Sequence, residues 1–505
     1  MDLDAMIQGF TILMDPMRLF LLLVGVVMGL AVGLLPGLGG VTAMALLLPF
    51  VTVMDPYTGI AMLIGISAVI NTSDTFPSVM MGIPGSAGSQ ATIMDGYPLA
   101  RQGLASKALS AALLASLVGG VIGALALTLV IPIARPIVLG FGSPEMFALA
   151  VFGLSMVGAL SGSSLVKGLI AAAGGFVLGT VGADAITGTY RFTFGSIYLF
   201  DGIPLPLLAL GLFALPEMVD VLMRGGAISS DGTAARLGRG WVEGIRETIR
   251  HRWLVLRHSL IGVLTGIVPG LGGPIVDWLN YGIVVQLSKD RSQFGKGDIR
   301  GVIAPESANN AKDGGALIPT LLFGVPGSTS MALLLSAMVV LNVQPGPRLI
   351  ETNMPLVYVI IWSLALANVF GALICVVLTR PIARLTLIPF HFLAPGILVL
   401  ITLAAFQASR QWGDLIVLLA LAVLGWGMKR IGMPRPPLLI GFILSLYAER
   451  YLFISTMRYE WEWLTRPGVV VIGGLTVLVI IGTLIWQMRS QRAPVVGVAD
   501  RQEDA

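Results

Sequence analysis

The chain has 505 residues, 56% of them hydrophobic and 11% charged, against about 25% charged in soluble domains. That leaves too little polar surface for a water-soluble globule, so the bilayer must supply the solvent. The formal charge of +4 is distributed in short basic clusters between apolar runs, which argues for membrane loops and against a nucleic-acid partner.

The first long apolar run starts at Leu19, follows Asp2, Asp4 and Asp15, and lacks a small-residue cleavage site. It reads as a spanning or hairpin segment and not as a signal peptide. Within it, Gly33-Leu34-Leu35-Pro36-Gly37-Leu38-Gly39-Gly40 forms a break, and Gly82-Ile83-Pro84-Gly85-Ser86 forms a second. A polar stretch with seven arginines from Arg224 to Arg257 follows. Both breaks then recur, as Gly266-Ile267-Val268-Pro269-Gly270-Leu271-Gly272-Gly273 and as Gly324-Val325-Pro326-Gly327-Ser328. Pro36 to Pro269 is an offset of 233, Pro84 to Pro326 one of 242, and Arg135-Pro136-Ile137 to Arg380-Pro381-Ile382 one of 245. An insertion of about nine residues near Lys289 to Arg300 accounts for most of the drift. The expected organisation is a first membrane repeat (1–225), a cytoplasmic linker (226–257), a second repeat (258–468), an extra C-terminal transmembrane helix (469–488) and a cytoplasmic tail (489–505).

Basic residues mark the cytoplasmic side of a membrane protein. The loop before the second break carries none at Met54 to Tyr57, yet its counterpart carries Lys289, Arg291, Lys296 and Arg300. After that break the bias reverses, with Arg101 and Lys107 facing Arg348 alone. This alternation predicts an all-α polytopic membrane protein of two inverted-topology repeats, with broken helices or re-entrant hairpins and about 10–12 transmembrane helices at roughly 20 apolar residues each.

Backbone that leaves helical geometry at membrane depth survives only where it lines a polar cavity or is buried in protein. Breaks at corresponding places in both halves point to a carrier's binding site. The first breaks supply Pro36, Gly37, Gly39 and Gly40 with Pro269, Gly270, Gly272 and Gly273. The second supply Gly85 and Ser86 with Gly327, Ser328 and Thr329. Polar runs ahead of the second breaks add Asn71, Thr72 and Ser73, and Asn309, Asn310 and Lys312. Hydroxyls, amides and half-helix N-termini bind a small carboxylate without a desolvated net charge, and the open carbonyls at half-helix C-termini suit Na⁺. A Na⁺ position is expected near Asp74, Ser89, Asp313 and Ser330. Lys312 either neutralises an anionic substrate or pairs structurally with Asp313, Asp74 or Asp277, since charge at membrane depth is costly.

Other signals are bland. Cys375 is a lone cysteine in an apolar setting, which excludes an internal disulfide. Three histidines are too few for a metal or general-base site: His251 and His258 read as ordinary solvated or interfacial residues of the arginine-rich stretch, and His391 follows a loop proline. No phosphate-binding Gly-x-x-x-x-Gly-Lys-Ser/Thr string occurs. Trp461 and Trp463, beside Glu460 and Glu462, read as an outer interface anchor. No cofactor and no catalytic residue is expected.

Gly33 to Gly40, the run Pro305-Glu306-Ser307-Ala308-Asn309-Asn310-Ala311, and Gly314-Gly315-Ala316-Leu317-Ile318-Pro319 leading into Gly324 to Ser328 resemble the large membrane subunit of the tripartite tricarboxylate transporter family (TctA-type). The likeness covers nearly the whole chain, although Lys312-Asp313 stands where that pattern has small residues. The resemblance implies a multi-pass secondary carrier of the bacterial inner membrane, working with a small four-helix membrane subunit and a periplasmic solute-binding protein. It also implies symport of a carboxylate with a cation, usually Na⁺ (or H⁺), and an elevator-like movement. The competing readings are a passive anion channel and a membrane-embedded enzyme acting on lipid-linked substrates; scarce histidine and cysteine argue against the enzyme.

Overall fold

The computed structural model describes residues 2–35, 39–86, 88–160, 164–184, 186–224, 237–269, 272–385 and 394–490. Pro36, Gly37, Gly270, His391 and the tail beyond 490, all singled out by the sequence, lie outside them. The first half comprises α1 (Leu3–Leu13), α2 (Pro16–Gly33), α3 (Gly39–Val51), α4 (Pro56–Ser73), α5 (Thr75–Met81), α6 (Ile93–Arg101), α7 (Ala105–Leu139), α8 (Ser143–Leu160) and α9 (Leu165–Gly179). A two-stranded antiparallel ribbon, β1 (Gly182–Ala183) with β2 (Tyr190–Arg191), pairs Gly182 with Arg191. Then come α10 (Leu205–Ala209), one π-helical turn and α11 (Leu215–Arg224).

The second half comprises α12 (Trp241–Arg250), α13 (Arg252–Ile267), α14 (Gly272–Leu287), α15 (Arg300–Phe323), α16 (Thr329–Val340), α17 (Pro347–Thr352), α18 (Met354–Val377), α19 (Thr379–Leu385), α20 (Ala394–Phe406), α21 (Trp412–Arg430), α22 (Pro436–Tyr459) and α23 (Pro467–Ser490). Among the described residues, six helices are long and apolar enough to cross a membrane and eight shorter ones are apolar. The chain is an all-α polytopic membrane protein.

Local chemistry starts and stops these helices. Asp15 and Asp55 accept from the first backbone N–H groups of α2 and α4, each followed by a proline at the first helical position, where its missing N–H costs nothing. Ser328 caps α16 and Asn353 caps α18 in the same way.

Packing places α4 and α15 at the centre. Every residue of α4 except Pro56, Tyr57 and Asn71 is buried, and every residue of α15 except Arg300, Lys312 and Phe323. Such polar-centred helices are tolerated at membrane depth because protein, not lipid, surrounds them. Each is met by its own half's preceding span through glycines that let backbones touch. A Cβ on Gly29 of α2 would stand 2.6 Å from the Ile66 carbonyl oxygen, and one on Gly262 of α13 would stand 2.3 Å from that of Ala308. Across the halves, α7 packs on α15 while α18 packs on α4. Gly123 and Gly314 bring α7 and α15 into backbone contact.

The α14–α15 loop, 288–299, is longer than its counterpart 52–55, and the first half anchors it. Asp95 of α6 accepts from the N–H groups of Gly297 and Asp298, both at 2.9 Å, and from the Tyr281 hydroxyl at 2.9 Å. Gln102 adds a bond to the Lys296 carbonyl.

Two sequence readings are corrected. His258 is fully buried, with Nδ1 2.7 Å from the Asn280 Oδ1, because α13 begins at Arg252 and carries it into the packed interior. Trp461 is exposed as an interface anchor would be, but Trp463 is buried edge-on against Phe147, since the turn after α22 folds its indole under α8.

Candidate functional site

The two second breaks are built alike. Gly82 and Gly324 end α5 and α15 in the left-handed conformation, with φ of 66° and 67°, which glycine adopts without a Cβ penalty. The following N–H groups, of Ile83 and Val325, return to the carbonyls of Pro77 and Pro319. Three residues past each cap, the Gly85 N–H donates to Ser78 Oγ at 3.4 Å and the Gly327 N–H to Thr320 Oγ1 at 3.2 Å. A Cβ on Gly85 would stand 2.7 Å from Asp74, and one on Gly327 would stand 2.7 Å from the Ala316 carbonyl oxygen. The halves differ beyond this point. In the second, Ser328 starts α16 at once, whereas in the first the next helix starts only at Ile93, with Ser89 Oγ accepting from the Ser86 N–H and bonding Ser78 Oγ at 2.8 Å.

Around the breaks lies a polar layer that joins the halves. Asn71 Nδ2 donates to Asp313 Oδ2 at 3.0 Å. Asn310 Nδ2 donates to Thr72 Oγ1 at 2.8 Å and to Asn368 Oδ1 at 2.9 Å. Asn309 Nδ2 donates to the Gly88 carbonyl at 2.8 Å. Lys312 Nζ donates to the Asn309 carbonyl at 2.9 Å and to Asn309 Oδ1 at 2.6 Å, and lies 3.6 Å from Asp313 Oδ1. Asp74 accepts from Ser86 Oγ, and Asp277 of α14 accepts from the Ala91 N–H at 2.5 Å. Glu306 accepts from Thr75, Thr92 and Ser116.

The layer thus gathers Asn71, Thr72, Asp74, Gly85, Ser86 and Ser89 from the first half with Asn309, Asn310, Lys312, Asp313 and Gly327 from the second. Ser73 instead bonds the Ile70 carbonyl of its own helix and faces Gly33. Gly39 opens α3 at φ 57°, and a Cβ on Gly40 would stand 3.7 Å from Ser330 Oγ, linking the first break of one half to the second of the other. Pro269 lies in the turn before α14, which Gly272 and Gly273 open, and Thr329 opens α16.

The sequence reading placed Thr75 and Glu306 in the polar runs and Asp277 as a possible partner of Lys312 without assigning any of them to the site, and it passed over Thr92, Ser116 and Asn368. A carboxylate at membrane depth was a usable signal for Glu306 and Asp277. Ser116 and Asn368 sit in long apolar helices and reach the layer only through helix rotation, which spacing along the chain does not specify. Among the described residues, no group of three or more His, Cys, Asp and Glu side chains is arranged to hold a metal ion. Chemically, the layer offers amide and hydroxyl donors, one ammonium and buried carboxylates, a set suited to binding and release.

The chain is 32% identical over 503 residues to an uncharacterized 52.8 kDa protein in the TAR-I ttuC' 3' region of Agrobacterium vitis, covering 97% of this chain and 98% of that one. It is 30% identical over 238 residues to an uncharacterized protein in the TAR-II ttuC' 3' region of the same organism, covering 46% of this chain and 97% of that one. No solved structure matches. The model of the tripartite tricarboxylate transporter TctA family matches residues 19–440, and the chain belongs to that family.

Proposed function

We propose that the chain is the large subunit of a binding-protein-dependent secondary transporter whose import of a small carboxylate is driven by a cation gradient, with Na⁺ (or H⁺) as the coupling ion. In this reading it sits in a bacterial inner membrane beside a small four-helix membrane subunit and receives substrate from a periplasmic solute-binding protein. The two halves run in opposite senses through the bilayer, and an elevator-like movement exposes the layer to either side. The observation that carries this reading is the polar layer itself. Two matched helix breaks meet there, and amides of each half bond the other at Asn71–Asp313 and Asn310–Thr72.

Each group has a defined task. Amides and hydroxyls orient a carboxylate by hydrogen bonds without bringing net charge into the layer. Lys312, held now by Asn309, turns its ammonium to the substrate and cancels part of its charge. The N-terminus of α16, capped by Ser328, adds N–H groups of positive sense. Because the contacts span both halves, filling the site ties them together and emptying it frees them.

The test is uptake of radiolabelled di- and tricarboxylates, citrate among them, by proteoliposomes containing the chain and its two partners. A Na⁺ or H⁺ gradient should drive accumulation above equilibrium. Equilibration at the same rate with every gradient collapsed would indicate a passive pore.

A further inference from the structure

Glu306 stands apart from the other charged groups of the layer. Glu306 is 1% exposed in the second turn of α15, and its oxygens accept only from neutral hydroxyls. Oε2 takes bonds from Thr75 at 2.9 Å and Ser116 at 2.8 Å, and Oε1 takes one from Thr92 at 2.8 Å. The three donors come from three places in the first half: the start of α5, the residue before α6 and the N-terminal third of α7. Among the described residues, no lysine, arginine or histidine forms an ion pair with it; the Lys312 ammonium, on the same helix, is held by Asn309 and Asp313.

Two further carboxylates adjoin the same segment. Asp74 precedes Thr75, and Asp277 holds the Ala91 N–H beside Thr92. Both are fully buried, and each keeps one oxygen, Oδ1, without any hydrogen-bond partner. A buried carboxylate with no counter-charge is strongly disfavoured until a cation cancels it. Hydroxyls suit that task because each both donates and accepts. They can hold the carboxylate, receive the proton of the neutral acid, or turn their lone pairs to a bound ion. The three hydroxyls converge on one carboxylate, Glu306, whose single negative charge is cancelled by one singly charged cation.

We infer that Glu306, with the hydroxyls of Thr75, Thr92 and Ser116, is a binding site for a monovalent cation, H⁺ or Na⁺. Its role in coupling rests on the transporter reading above; its existence as a site does not. Because the carboxylate belongs to the second half and its hydroxyls to the first, a loaded site closes the contact between them, and an unloaded one leaves a buried charge that weakens it.

The experiment is thermal unfolding of the full-length chain purified in detergent, with NaCl titrated against KCl and, separately, with pH varied over roughly pH 5–9. The unfolding temperature of the wild type should rise by several degrees with Na⁺ at fixed pH if the ion is sodium, or with acid in KCl if it is a proton. Glu306→Gln, uncharged and able to keep hydroxyl contacts, should fold and lose that response. Thr92→Val and Ser116→Ala should shift its midpoint by about tenfold each, the effect of one hydrogen bond to a charged group. They decide the matter if the glutamine variant does not fold. A wild type that responds to neither cation, a Glu306→Gln that responds as the wild type does, or hydroxyl variants with an unshifted midpoint would each overturn the site. No substrate or partner is involved, so a flat titration contradicts this site alone, while the transporter reading stands or falls on uptake.

Discussion

Gly327 is the residue at which the geometry of the second break can be tested most sharply. A Cβ there would stand 2.7 Å from the Ala316 carbonyl oxygen, 2.8 Å from its Cα and 3.0 Å from its Cβ. The first two are backbone atoms of the buried helix α15 and cannot swing away. Heavy atoms pack at about 3.5–4.0 Å, so the turn must retreat by roughly 1 Å. That retreat breaks the bond from the Gly327 N–H to Thr320 Oγ1, costing about 1 kcal/mol. Overpacking adds about 1–3 kcal/mol, so Gly327→Ala should lose roughly 2–4 kcal/mol in all. Carboxylate uptake should fall with it, since the same turn positions Ser328 and α16. Thermal unfolding in detergent and uptake in proteoliposomes read the two effects. Gly282→Ala in α14, where a Cβ meets nothing within 4 Å, is the control and should be neutral or gain up to about 1 kcal/mol of helix propensity. Gly85→Ala should behave as Gly327→Ala does. A Gly327→Ala protein with wild-type stability and uptake would refute the close packing of this break.

Lys312→Met should lose uptake and about 3–5 kcal/mol of stability, because it strips the ammonium that lies 3.6 Å from the buried Asp313. A second change, Asp313→Asn, should restore stability but not uptake, and a methionine variant that transports normally would remove Lys312 from the site. Asp95→Ala should strand the N–H groups of Gly297 and Asp298 and the Tyr281 hydroxyl, at about 1–3 kcal/mol for each group left buried and unpaired. Trypsin should then cut faster after Lys289, Arg291 or Lys296, and an unchanged digestion rate would mean that other contacts hold the loop.

Much of the architecture was legible because breaks at membrane depth need glycine and proline, and these recur in order. Gly82 and Gly324 took the same left-handed cap, and Gly85 and Gly327 the same close approach, because identical turns demand identical residues. Lys312 was conspicuous because an ammonium in an apolar run has no cheap environment. What stayed hidden depends on tertiary rotation. Ser116 of α7 reaches Glu306, and Asn368 of α18 reaches Asn310, only through the crossing of those helices with α15, and a lone polar residue in an apolar helix carries no mark of its partner. His258 was misread because neighbouring arginines suggested water, whereas the helix face it occupies turns toward Asn280.

The claim beneath all of this is that the two halves cross the bilayer in opposite senses, so that their breaks meet at mid-depth. Equivalent loops then lie on opposite sides of the membrane. Val53, in the loop before α4, and Ser292, in the loop before α15, occupy equivalent loops, and both are exposed. Single cysteines at these positions, in a Cys375→Ser background, should react with an impermeant maleimide from opposite faces: Val53→Cys from outside and Ser292→Cys only when the cytoplasmic face is opened. Labelling of both from the same face would contradict the inverted arrangement and the transport layer built on it.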